Sequence, residues 1–153
     1  MATKTLEAIR SMNPLEEREE YIGAFYGQTK IHIWWAFIIG PFSVFTMKKY
    51  QVVVTNRRIL FGKLSLSGKI ANIDKFTFHE IESVSFNKGF LLNKISFKFK
   101  NSITLNLGLP KNSVGKAEEG FLLDEKLQTY LSKAIKCDQS KQTEITPVKN
   151  QVV

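Results

Sequence analysis

Tyr50-Gln51-Val52-Val53-Val54-Thr55-Asn56-Arg57-Arg58-Ile59-Leu60-Phe61-Gly62-Lys63 decides the fold. Two apolar runs, too short and too β-branched for helices, flank Thr55-Asn56, whose side chains favour a turn by hydrogen-bonding to nearby backbone. The stretch predicts a β-hairpin. Its turn and outgoing strand carry Arg57, Arg58 and Lys63, so the sheet begins with a basic edge suited to binding rather than to reaction.

Downstream, the same logic continues. Ser67-Gly68 marks a turn, Phe76 and Phe78 alternate with Lys75 and Thr77, and 81–86 runs to a turn at Asn87-Lys88-Gly89. Lys94-Ile95-Ser96-Phe97-Lys98-Phe99-Lys100 alternates polar and apolar residues, which a pleated strand resolves into one wet and one buried face. After Asn101-Ser102, Ile103, Leu105 and Leu107 alternate with Thr104 and Asn106. Six or seven strands in succession predict a curved antiparallel sheet or barrel. Leu123, Leu127, Tyr130, Leu131 and Ala134 then fall on one helical stripe, predicting a helix within 112–136 that lies on the barrel. Residues 137–153 read as a flexible polar tail.

Upstream, Leu6, Ile9 and Met12 predict a short amphipathic helix, and Asn13-Pro14-Leu15-Glu16 reads as the capped start of a second brief one. Residues 1–20 therefore form an N-terminal helical segment, with a first strand at 21–27. Residues 31–47 carry no formal charge. Three readings stand open for them: buried core broken at Gly40-Pro41, a hairpin in a membrane interface with Trp34 and Trp35 at headgroup depth, or a single transmembrane span.

At 153 residues and 43% hydrophobic, with 12 Phe, the chain buries a single core without disulfides. Cys137 is its one cysteine, which fits a reducing, cytoplasmic setting, and the mixed, charged first thirty residues do not read as a signal peptide. The net charge of +8 divides into −2 over 1–29, +10 over 30–111 and zero over 112–153. That central field is either a solvated lysine-rich surface or a match for an anionic partner. Catalysis finds little support: His32 lies in the apolar run, His79 sits beside Glu80, and Cys137 is at a helix end, where the dipole opposes a thiolate. His79, Glu80 and Glu82 lack the second cluster that a metal site needs, and no glycine loop cradles phosphate. No enzyme activity and no cofactor are expected.

A curved sheet closed by one C-terminal helix resembles the pleckstrin-homology (PH)-like and GRAM domains, and the residues resemble the bacterial PH branch. The carriers are 52–61, Phe76-Thr77-Phe78-His79-Glu80-Ile81-Glu82-Ser83-Val84, and the Lys88-Gly89 turn. The resemblance implies a non-catalytic binding or scaffolding module over 21–136 for lipid headgroups or a protein partner, peripheral at the inner membrane face. The phosphoinositide loop of eukaryotic members is not matched by Lys30 and the apolar run after it. The candidate anion-binding residues are Arg57, Arg58, Lys63, Lys94, Lys98 and Lys100, with Trp34 and Trp35 as interface candidates. Nucleic acid is the alternative partner, disfavoured because Phe97 and Phe99 fall on the face opposite the lysines.

Overall fold

The computed structural model describes residues 2–29, 47–90, 92–110 and 125–144. In chain order these form α1 (Ala2–Met12), β1 (Tyr21–Thr29), β2 (Lys49–Thr55), β3 (Arg58–Leu64), β4 (Ile70–Thr77), a 3-10 turn (Phe78–Glu80), β5 (Ile81–Asn87), β6 (Leu92–Phe99), β7 (Thr104–Pro110) and α2 (Glu125–Glu144). The seven strands make one antiparallel sheet in the order β4-β3-β2-β1-β7-β6-β5. Phe61 of β3 meets Phe97 of β6 edge-on with centroids 5.2 Å apart, and Phe76 of β4 stands 4.4 Å from Phe99. Strands far apart in the sheet order therefore touch, so the sheet curls over a single core, as expected for a mainly β fold.

Two apolar layers hold it. The inner one gathers Phe25, Val52, Val54, Ile59, Phe61, Ile95, Phe97, Phe99, Leu107, Leu131 and Ile135. The outer one comprises Ile9, Ala24, Val53 and Leu60, because α1 lies on the back of the first strands. This explains why Val52-Val53-Val54 and Ile59-Leu60-Phe61 are apolar without alternation: they are buried on both faces. α2 covers the opening beside β1 and β5, placing Leu127 against Gly23 and Tyr130 against Phe78, while the Gln139 side-chain amide donates to the Glu82 carbonyl. A side chain at Gly23 would sit 3.2 Å from the Leu127 methyls, a tight contact that the leucine would have to yield to.

Three expectations are corrected. No helix begins at Asn13: its N–H bonds to the Ile9 carbonyl at 2.9 Å, closing α1, and Pro14 cannot continue a helix from there. The chain instead turns through Arg18 at φ 63°. Secondly, α2 runs on to Glu144, past the end set at 136, so its last two turns occupy what reads as tail. Ile103 is the third, exposed and outside β7, in a turn where Ser102 has φ 66°. No helix among the described residues is long and apolar enough to cross a membrane. His32, Trp34, Trp35 and nearly all of the uncharged run lie outside the described residues, as do 111–124 with Leu123, and 145–153.

Candidate functional site

Hairpin register places a set of lysines at one end of the sheet, Lys49 and Lys63 on opposite faces of it. Lys49 stands opposite Gln28 of β1 and Leu64 of β3, and Lys63 stands between Tyr50 and Asn72. The Thr29 N–H donates to the Lys48 carbonyl at 2.9 Å and the Lys48 N–H to Thr29 Oγ1 at 3.1 Å, so the connection between β1 and β2 leaves and re-enters at one point. The adjacent β3–β4 turn is closed by Ser65 N–H to the Lys69 carbonyl at 2.7 Å, with Gly68 at φ 78° where a side chain would be strained. Residues 27–29, 47–50 and 62–70 therefore share one end of the sheet, with Lys48, Lys49, Lys63 and Lys69 and without a carboxylate. Leu66 projects from the β3–β4 turn, 69% exposed. Burial, and after it the charge of Asp74 on β4, push the Tyr50 phenol above its ordinary pKa.

The arginine pair lies at the other end of these strands and is divided. Thr55 Oγ1 accepts the N–H groups of Arg57 at 3.2 Å and Arg58 at 3.0 Å, forming the turn that its residue type favours. The Arg58 side chain is only 12% exposed and clamps the wholly buried Glu19, Nε to Oε1 and Nη2 to Oε2, both at 2.9 Å. Glu19 also accepts from the Thr55 hydroxyl at 2.7 Å and the Glu16 N–H at 2.8 Å. Burial alone would raise its carboxyl pKa, but these hydrogen bonds and the Arg58 charge outweigh it and hold the group below the usual glutamate value. Arg58, a candidate anion-binding residue of the sequence, is thus engaged by a carboxylate of its own chain. Arg57 is 48% exposed and reaches Glu16 at 3.8 Å, beside an open cleft of about 430 Å³ lined by Glu16, Glu17, Arg18 and Arg57.

The β6 lysines do not form a free strip. Lys98 pairs with Glu82 at 2.9 Å, Lys100 Nζ stands 3.4 Å from His79 Nδ1, and Lys94 is exposed. Phe97 and Phe99 face the core, opposite them. Glu80 accepts from the N–H and hydroxyl of Thr77, a cap that starts the 3-10 turn. Cys137 is exposed on α2, and no cluster of three His, Cys, Asp or Glu among the described residues could hold a metal ion. Sequence reasoning passed over Lys48, Lys49, Lys69 and Leu66; only hairpin pairing, which needs the register, places them at the same end of the sheet as Lys63.

Among solved structures, the chain is similar to the Vps36 N-terminal PH domain at 12% identity and TM-score 0.47, covering 82% of this chain and 86% of that one. It is likewise similar to the hSac2 domain from the human phosphoinositide phosphatase Sac2, at 9% identity and TM-score 0.48, covering 92% of this chain and 81% of that one. No curated protein matches it in sequence. Residues 15–119, more than half of the chain, match the family model of the bacterial PH domain, and the chain belongs to that family.

Proposed function

We propose that the chain is a non-catalytic binding module that docks on the anionic headgroups of a phospholipid membrane at its cytoplasmic face. The carrying observation is the end of the sheet that carries Lys48, Lys49, Lys63 and Lys69, four lysines with Asp74 of β4 as a neighbouring carboxylate. Each lysine near an acidic bilayer contributes about 1 kcal/mol, so four together raise binding roughly a thousandfold over a neutral surface. Leu66 adds an apolar contact beyond the charges. Trp34 and Trp35, the interface candidates of the sequence, follow β1 in the chain, and indoles favour headgroup depth. Nucleic acid is the weaker reading, since stacking needs exposed aromatic rings beside the lysines, and Tyr50, the ring opposite Lys63, is half-buried and packed against the core.

Sedimentation with phosphatidylcholine vesicles, with and without phosphatidylglycerol, tests the proposal. Only the acidic vesicles are expected to pellet the protein, and salt should release it as the screening length falls from about 10 Å at 0.1 M to about 3 Å at 1 M. The Lys48→Glu, Lys69→Glu double variant should weaken binding at least tenfold, whereas Lys98→Ala, already paired with Glu82, should leave it nearly unchanged. Equal partitioning onto both vesicle types, or indifference to the double variant, overturns the reading.

A further inference from the structure

The turn between β5 and β6 carries an aromatic ring that the core does not use. Phe90 is 95% exposed, whereas Phe97 and Phe99, further along the same hairpin, are buried. A phenyl ring held in water forgoes the gain that burial gives its neighbours. Its surroundings carry one sign of charge. The turn reads Lys88-Gly89-Phe90-Leu91-Leu92-Asn93-Lys94, with Lys88 and Lys94 both exposed. Residues 83–117 hold six lysines and no carboxylate; Glu82, which answers Lys98, lies just before them.

The turn is also joined to the lysine end by strand register. Asn87 stands opposite Lys94, Lys94 opposite Gly108, Gly108 opposite Gln28, and Gln28 opposite Lys49. One row of directly paired residues thus crosses five strands from the base of the hairpin. Residues directly opposite share a face of the sheet, so Lys94, Gln28 and Lys49 lie on one face, the two lysines about 15 Å apart along it over three strand spacings.

We infer that the β5–β6 turn is a finger that inserts into an anionic bilayer, Phe90 entering below the headgroups while Lys88 and Lys94 hold lipid phosphates on either side of it. The insertion rests on the docking reading above and adds an apolar contact at a second place. Lysine suits the flanks, because its stem follows a ring into apolar surroundings while the ammonium stays at the phosphates. An apolar groove on a protein would satisfy the ring alone. The flanking lysines and the carboxylate-free stretch favour the acidic bilayer instead, which rewards ring and cations together.

The test uses the full chain with Cys137→Ser and Phe90→Cys, an NBD dye on residue 90, and vesicles of phosphatidylcholine and phosphatidylglycerol in equal parts. On binding, the emission should move to shorter wavelength and be quenched by nitroxide-labelled lipid. The same dye on Arg57→Cys, in the turn at the other end of the strands from the lysines, should stay in water. In the unlabelled chain, Phe90→Ala should weaken partition onto these vesicles about tenfold and Phe90→Leu should restore most of it, neither shifting the thermal melt. Sedimentation that persists while the dye on residue 90 stays in water, or that is unchanged by Phe90→Ala, overturns the insertion, assigns the ring to a protein partner and leaves the docking reading standing. Absence of sedimentation with acidic vesicles overturns both.

Discussion

Glu19 is the residue on which the N-terminal arm depends. Its buried carboxylate has four donors, from Glu16, Thr55 and twice from Arg58, and removing it leaves a guanidinium that is itself mostly buried. Breaking such a pair costs about 3–5 kcal/mol, so Glu19→Gln should lower the urea midpoint sharply, while Arg57→Ala, half-exposed and loosely paired, should change stability by less than about 0.5 kcal/mol. The pH dependence has a definite sign. A carboxyl whose pKa is lowered on folding stabilises above its unfolded value near 4.5 and loses that contribution as pH falls through the lower folded value. The stability gap between wild type and Glu19→Gln should therefore close in acid below about pH 4; a gap constant down to pH 2 would refute it. Thr55 and its turn were legible in sequence because the bonds that make the turn are local. Arg58 was not, because its partner lies 39 residues upstream and nothing local distinguishes a guanidinium bound to carboxylate from one awaiting phosphate.

At the scale of elements, α2 decides whether the barrel stands. It buries Leu127, Leu131 and Ile135, each worth about 1.5–3 kcal/mol against a domain total of about 5–15. A chain ending at residue 124 should show no cooperative thermal melt. One ending at 138 keeps all three side chains and loses the Gln139 bond to Glu82 with the last turns of the helix, so it should melt cooperatively with about 0.5–1.5 kcal/mol less stability. Calorimetry of the two distinguishes them, and comparable melts would place α2 outside the core. The strands and the stripe from Leu127 to Ala134 were readable because apolar periodicity reports burial. The last turns of α2 were missed, and a second helix was expected at Asn13, for complementary reasons. Lysine, glutamine and glutamate sustain helix without any apolar period, whereas at Asn13 a start signal for one helix is also a stop signal for another.

For the whole molecule, charge was legible in amount and not in place. The +10 of residues 30–111 is a property of composition, but which lysines converge depends on strand direction and register, and these set Lys63 among Lys48, Lys49 and Lys69 while giving Lys98 to Glu82. Among the described residues the sheet ends in two strands, β4 and β5, each paired on one side. Their outer backbone groups are templates for another chain, and each is guarded: β4 by Asp74 and Lys75 with an irregular register near Leu64, β5 by the Gln139 amide on the Glu82 carbonyl. The distal turns of α2 thus place the Gln139 amide on an outer carbonyl of β5, the kind of cover that blunts edge-to-edge pairing. The chain ending at 138, though folded, should form thioflavin-positive assemblies at concentrations where the full chain stays monodisperse.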